Sequence, residues 1–273
     1  MGFRHSVTMQ DGSVYDVTAL LAKANSNTKT AKSDKANVGI MTVSLSLAPA
    51  KASGFNLCPA ASPACMAGCL YISGLAWVFP RTIQPARIAK SRMLRMSPKV
   101  FQERLEKELA SKLKSATNKG LQLAVRLNVL SDVQWEKEMP GIFKNFPTIQ
   151  FYDYSKLYKR MIGYTEGLLP SNYHLTFSWS GTNKDQCIDI LRRGSNVAVP
   201  FHTGKNNPLP SEFLGYPVFN GDLTDLRFRD PKNVIVGLKA KGKARKDFTS
   251  GFVVPVKSGV AVEVKNSLAQ ITL

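Results

Sequence analysis

The chain is a succession of short apolar runs rich in β-branched residues, separated by helical or loop-like stretches. Seven runs predict strands: "GIMTVSLSLA" (39–48), "LQLAVRLNV" (121–129), "TIQFYDY" (148–154), "YHLTFSWS" (173–180), "NVAVPF" (196–201), "YPVFNG" (216–221) and "NVIVGLKA" (233–240). In "SPKVFQERLEKELASKLKSATNKG" the near-helical spacing of Val100, Leu105, Leu109 and Leu113 predicts a helix. Ser97 can cap it, Pro98 suits its first turn and Gly120 stops it. A second helix is predicted over "NKDQCIDILRRG", ended by Gly194. Strands alternating with helices or long connectors predict parallel β/α units. About six or seven mainly parallel strands suit a partial or irregular β/α barrel better than a complete eightfold one. The closing stretch alternates differently, and the turn signal at Ser258-Gly259 predicts a C-terminal β-hairpin within 251–273. With no internal repeat and no linker, residues 1–273 are expected to form a single α/β domain. Residues 25–37, "NSNTKTAKSDKAN", are expected to be a basic loop or arm.

Composition narrows the function classes. Hydrophobic residues make up 44% of the 273, enough to bury a sizeable core. No run of about 18 uncharged apolar residues exists, so no membrane span is expected. The opening "MGFRHSVTMQDGSVYDV" turns polar too early for a signal peptide, and Met1-Gly2 alone is a poor myristoylation signal. The expected location is the cytoplasm. Lysine and arginine outnumber acids 37 to 19, a formal charge of +18, which favours nucleic acid or an acidic protein as partner. That charge is spread along the chain, with no recognition helix, zinc-finger spacing or ribonucleoprotein aromatic motif. Sequence-specific reading is therefore not expected.

The densest chemistry lies in "LCPAASPACMAGCLY" (57–71), where Cys58, Cys65 and Cys69 crowd into twelve residues and Cys187 is the only other cysteine. Ser62 is a good N-cap and Pro63 a good first helical residue, placing Cys65 in the first turn and Cys69 four residues on, along the same face. Cys58 precedes the helix by a short loop. Thiolates gathered at a helix N-terminus gain from unpaired amides and the positive end of the dipole. Small neighbours (Ala60, Ala61, Ala64, Ala67, Gly68) leave room for a bulky group. A structural disulfide does not fit a cytoplasmic chain. Zinc usually takes cysteines two to four apart, whereas the gaps here are six and three; His174 and His202 could complete such a site without any spacing that argues for it. Three unrelated buried thiols are the remaining alternative. A [4Fe–4S] cluster is the leading expectation, with zinc and no metal beside it. Cys187, inside a predicted helix, reads as a core thiol, which leaves the fourth cluster ligand open.

Polar residues recur at the carboxyl ends of the predicted strands, where β/α folds work. They are Asn128, Ser131, Asp132 and Trp135; Asp153, Tyr154 and Lys156; Ser178 and Ser180; His202 and Thr203; Asp222 and Asp225; Lys239 and Lys241. Asp132 and Asp153 are candidate acids or bases, Lys239 or Arg227 would hold an anionic group, and Asn128 could contact a cofactor or substrate. For each alone, a cap or turn residue is the simpler reading.

Three cysteines after the first strand of a partial β/α barrel resemble the radical S-adenosylmethionine enzymes, which implies S-adenosylmethionine as cofactor. Their spacing is three then two residues, against six then three here. The ordered set "TVSLSLAPAKASGFNLCPAASPACMAGCLY", "RLNVLSDVQWE", "IQFYDYSK", "NYHLTFSWSG", "NVAVPF" and "GYPVFNGDLTDLRFRDPKNVIVGLKAKGKAR" resembles the bacteriophage "gene product 88" family over roughly residues 25–254. That resemblance implies a viral origin and a shared fold, with no established reaction. Two functions follow as expectations. One is redox or radical chemistry on a small or nucleotide-like substrate; the other is non-catalytic binding through the basic surface, with a structural or sensing metal site.

Overall fold

A computed structural model describes residues 3–22, 39–203, 207–257 and 259–262. The expected basic arm, 25–37, lies outside them. The chain opens with an antiparallel pair, β1 (His5–Thr8) and β2 (Val14–Val17). Next come β3 (Ile40–Ser44), the short α1 (Pro63–Ala67), α2 (Leu75–Val78), and two long helices, α3 (Pro80–Met96) and α4 (Pro98–Thr117). A β/α series follows: β4 (Gln122–Arg126), α5 (Trp135–Glu138), α6 (Gly141–Asn145), β5 (Gln150–Ser155), α7 (Tyr158–Thr165), β6 (Tyr173–Ser178), α8 (Lys184–Arg192) and β7 (Val197–His202). The last strands are β8 (Glu212–Phe213), β9 (Tyr216–Asn220), β10 (Ile235–Lys239), β11 (Val254–Lys257) and β12 (Val260–Ala261).

All seven predicted runs contain a strand. The sheet runs β3-β4-β5-β6-β7-β10-β9-β8, parallel from β3 through β9, with β8 antiparallel to β9. The expected barrel curvature does not close: among the described residues β3 pairs only with β4 and β8 only with β9. The winding of consecutive strands stops after β7, because the β8–β9 hairpin reverses direction and β10 takes the place beside β7. Of the expected C-terminal hairpin, Val256 and Lys257 pair antiparallel with Ala261 and Val260; Ser258 and the stretch beyond 262 lie outside the described residues.

The parallel strands alternate between two buried faces, which is why they read as nearly continuous apolar runs. One face carries Leu123, Val125, Phe151, Leu175, Phe177, Val199 and Ile235, packed under the helices with Leu105 and Leu109 of α4 and Ile190 and Leu191 of α8. Cys187 of α8 lies in this layer, fully buried, as its helical position predicts. The other face is smaller and more polar, with Ala124, Arg126, Tyr152, Tyr154, His174, Thr176 and Ser178 in register across neighbouring strands. Residues 226–228 cover part of it, Leu226 and Phe228 packing on Tyr152.

Helix α3 was not foreseen from the sequence. Pro85 sits inside it and basic residues obscure the stripe formed by Ala89, Met93 and Leu94. Helix α4 starts at Ser97 as expected, although the Ser97 side chain makes no capping bond. Gly120, at φ 65°, follows its end.

One local constraint shapes the functional end of the sheet. Strands β6 and β7 pair only at Phe177↔Val197 and Ser178↔Ala198. Beyond that point they diverge, and β11 takes the vacated edge of β7 through Val254↔Phe201 and Pro255↔His202. Gly181, at φ 88°, follows the end of β6; a Cβ there would lie 2.7 Å from the Phe252 amide nitrogen and 2.8 Å from the Gly251 carbonyl carbon. Both are backbone atoms and cannot swing aside. Gly181→Ala is expected to destabilise the fold by about 2 kcal/mol or more, read as a lowered midpoint in chemical denaturation. Gly194→Ala, whose added Cβ would meet no heavy atom within 4 Å, carries only the cost of its positive φ and serves as the control.

Candidate functional site

The carboxyl ends of β5, β6, β7 and β10 surround a cavity of about 170 Å³. Its floor belongs to the polar face of the sheet: Tyr154, Ser178, Ala198, Pro200 and Leu238. Trp179 and Phe252 form apolar walls, and Lys156, Lys239, Lys241 and Asp222 are the charged residues that line it. It sits where β6 and β7 part. Divergence at the carboxyl ends of parallel strands is the place where open α/β sheets take ligands.

The cysteine segment reaches this same end. Ser62 caps α1, its Oγ accepting from the Cys65 amide (3.2 Å) and donating to the Ser180 carbonyl just past β6 (3.0 Å). The expected cap and Pro63 start are both present. The helix is shorter than expected, however. It ends at Ala67, with Gly68 as C-cap, so Cys69 is not on the same helical face as Cys65 but leads into a 3-10 turn, Leu70–Ile72. The turn packs closely at this point: a Cβ at Gly68 would stand 3.2 Å from Ala244 Cβ and 3.3 Å from the Phe252 ring. Gly68 and Leu70, on either side of Cys69, both line the cavity.

The thiols are within electrostatic reach of one another. Burial pushes Cys58 up to about 11; the Ala50 backbone N–H opposes this, while Asp132, Cys69 and Cys65 add to the rise. Burial also raises Cys69, opposed by the nearby Tyr71 backbone and by the positive charges of Lys156 and Arg87, while Cys65 adds to the rise. The Cys58 thiol donates to the Leu130 carbonyl, 3.4 Å away, beyond β4. Among the described residues no three His, Cys, Asp or Glu side chains are drawn together as metal ligands. The histidines weighed for zinc are engaged elsewhere. His174 Nδ1 pairs with the Tyr164 hydroxyl (3.0 Å), and burial lowers it to about 4; His202 Nε2 meets the Arg245 carbonyl (3.1 Å).

The other candidates divide into two groups. Lys239 is at the cavity, its Nζ donating to the Asn207 carbonyl (2.9 Å). Asn128, Asp132, Asp153 and Arg227 are not among its lining residues. Asn128 organises the turn after β4: its Oδ1 accepts from Ser131 Oγ, the Val133 amide and Trp135 Nε1 at 2.8–3.1 Å. Asp132 accepts from Ser155 Oγ and the Lys156 amide, both at 2.8 Å, and pairs with Arg160 at 3.2 Å. It thereby fixes the backbone from which Lys156 projects. Arg227 is fully buried beside Asp230 (3.1 Å), and the nearby pair Arg126–Asp225 (2.9 Å) is also buried. The Arg126–Asp225 pair ties residues 225–230 to β4 on the polar face of the sheet, while Arg227–Asp230 braces the segment internally. Tyr154 and Thr176, on that face, have buried hydroxyls with no partner among the described residues, as does Arg126 Nε. Trp179 and Phe252 were not singled out from the sequence as site residues. The period-2 pattern assigns Trp179 to the helix-covered face, and only the insertion of β11 brings Phe252 near it.

Asp153 is fully enclosed, accepting from the Asn128 amide (2.6 Å) and the Tyr173 hydroxyl (2.7 Å). Burial raises it to about 7, against the opposing hydrogen bonds and the charges of Arg126 and Arg160. A carboxyl raised on folding holds its proton in the folded state where the unfolded chain has lost it, so stability falls as pH climbs from about 4 to about 7. Asp153→Asn should flatten that part of a stability–pH profile. Relative to wild type it should gain up to about 4 kcal/mol between pH 4 and pH 8, measured by urea denaturation at each pH.

Comparison with known proteins adds one assignment. No curated protein and no solved structure matches the chain. The model of the family described as Gene product 88 matches residues 19–254, most of the chain and all of the strands around the cavity from β3 to β10. The chain belongs to the Gene product 88 family of phage proteins.

Proposed function

We propose that the chain carries a [4Fe–4S] cluster on Cys58, Cys65 and Cys69 and uses it for redox or radical-type chemistry on a small or nucleotide-like molecule held in the adjoining cavity. One observation carries this reading: the residues flanking Cys69 are themselves wall of the cavity at the carboxyl ends of the parallel strands. An iron–sulfur group on these thiols would supply electrons one at a time to a molecule bound there.

The donor chemistry suits an anionic group. The backbone at Ala50 and Tyr71 favours the charged forms of Cys58 and Cys69, and Lys156 and Arg87 offset negative charge at Cys69. Buried thiols are poor thiolates alone, but a metal supplies the countercharge that burial removes. The three sulfurs are not drawn together as a ligand set among the described residues, so seating a cluster would require the Cys58, Cys65 and Cys69 segment to adjust around it. Cys187, buried on the inner side of α8, is not among the proposed ligands.

Anaerobic purification followed by iron and sulfide analysis tests the proposal. Wild type and Cys187→Ser are expected to hold about four irons and four sulfides per chain and to absorb near 400 nm. Cys58→Ser, Cys65→Ser and Cys69→Ser should each lose most of both. A colourless wild type with stoichiometric zinc would replace the cluster with the zinc-stapled alternative. Cleavage of S-adenosylmethionine by the reduced protein would assign radical chemistry. The net charge of +18 favours one further reading, binding of nucleic acid or an acidic host protein without turnover. Salt-sensitive nucleic-acid binding by a metal-free chain would support it.

A further inference from the structure

We propose that the cavity beside Cys69 binds a small molecule with a ring-sized apolar body and an anionic group, phosphate or carboxylate. The inference rests on the cavity being the substrate's place, but not on the presence of a metal.

Size sets the body. At about 170 Å³ the space is close to that of an engineered protein cavity of about 150 Å³ that takes benzene. Its walls favour a flat group. Trp179 is fixed by donation from Nε1 to the Gly251 carbonyl (2.8 Å), and Phe252, the residue after Gly251, lines the cavity with it. Leu70 and Leu238 complete an apolar lining. Burial of such a group removes apolar surface from water and favours weak binding before any charge contributes.

Charge sets the other end. Three lysines and one aspartate line the space. Asp222 is committed: its Oδ1 pairs with Lys241 Nζ (2.6 Å) and its Oδ2 accepts from the Lys239 amide (2.8 Å). Among the described residues, no carboxylate lies within ion-pair distance of Lys156 or Lys239. Lys239 Nζ donates to one backbone carbonyl, which leaves two of its N–H groups for a ligand. Lys156 Nζ lies 5.8 Å from the centre of the Phe252 ring, so a cation borders the apolar slot directly. The Tyr154 ring completes the floor. A neutral ring would satisfy the slot and leave both cations unused.

The test uses phenyl phosphate, benzoate and phenol as probes, titrated by fluorescence against the full chain in a Trp77→Phe background, where Trp179 at the cavity responds over the constant signal of Trp135 in the core; saturation-transfer NMR provides a second reading. At least one of the two anions should bind about tenfold more tightly than phenol, and its affinity should fall as sodium chloride is raised. The anion that does so identifies the head group as phosphate or carboxylate. Lys156→Gln and Lys239→Gln should each weaken anion binding about tenfold while leaving phenol unchanged, with far-ultraviolet circular dichroism confirming the fold. If a variant fails to fold, the salt dependence of the wild type decides. Phenol binding as tightly as both anions, salt-independent binding, indifference to both lysines, or no binding by any probe would overturn the proposal. Repeating the titration with Cys65→Ser, beside its iron content, keeps the two proposals apart: loss of iron with anion binding intact removes the cluster only.

Discussion

The divergence of β6 and β7 past a single pair of bridges is the constraint on which the functional end of this protein depends. Parallel strands satisfy each other's backbone groups only while they stay side by side. Where these two separate, β11 supplies partners to the exposed edge of β7 and carries Phe252 and Gly251 into the gap. Two consequences follow from one departure in register. The sheet gains an opening at its carboxyl end, and the C-terminal segment becomes a wall of that opening. Gly181 makes the arrangement sterically possible, since no side chain fits between the end of β6 and the incoming backbone.

The cysteine segment is held to the same place by ordinary local chemistry. Ser62 uses one hydroxyl to cap α1 and to tie it to Ser180 beyond β6, while Gly68 lets the following turn lie against Ala244 and Phe252. The thiols arrive beside the cavity because caps and glycines steer the backbone there. The polar network under the turn after β4 performs the matching task on the opposite side. Asn128, Asp132, Asp153, Tyr173 and Arg160 join the ends of β4 and β5 and fix the backbone from which Lys156 projects. These residues look like catalytic candidates by type and position, yet their hydrogen bonds point inward. An acid that accepts three bonds from its own scaffold contributes shape before it contributes chemistry.

The period-2 and helical patterns made the seven main strands, α4 and α8 legible, because burial on both faces of a parallel sheet leaves a strong apolar signature along each strand. The cap at Ser62, the stop at Gly120 and the core position of Cys187 could be read for the same reason: each depends on neighbours within a few residues. Helix α3 leaves no legible pattern, because Pro85 and a run of basic side chains overlay its apolar stripe. The β1–β2 pair and β11 are four residues each, too short to carry a pattern of their own.

By itself the sequence determined that a basic, mainly parallel α/β domain would form, and that three cysteines would sit near the carboxyl end of its strands. Those outcomes are local, set by periodicity, capping residues and the polarity of strand ends. Only tertiary structure decided that the sheet stays open, that α1 stops before Cys69, and that Lys156, Lys239, Trp179 and Phe252 share one cavity while Asn128, Asp132, Asp153 and Arg227 do not line it. The physical reason is that these are choices among partners distant in sequence. Edge pairing and close backbone packing settle them, and neither leaves a mark on the residues nearby.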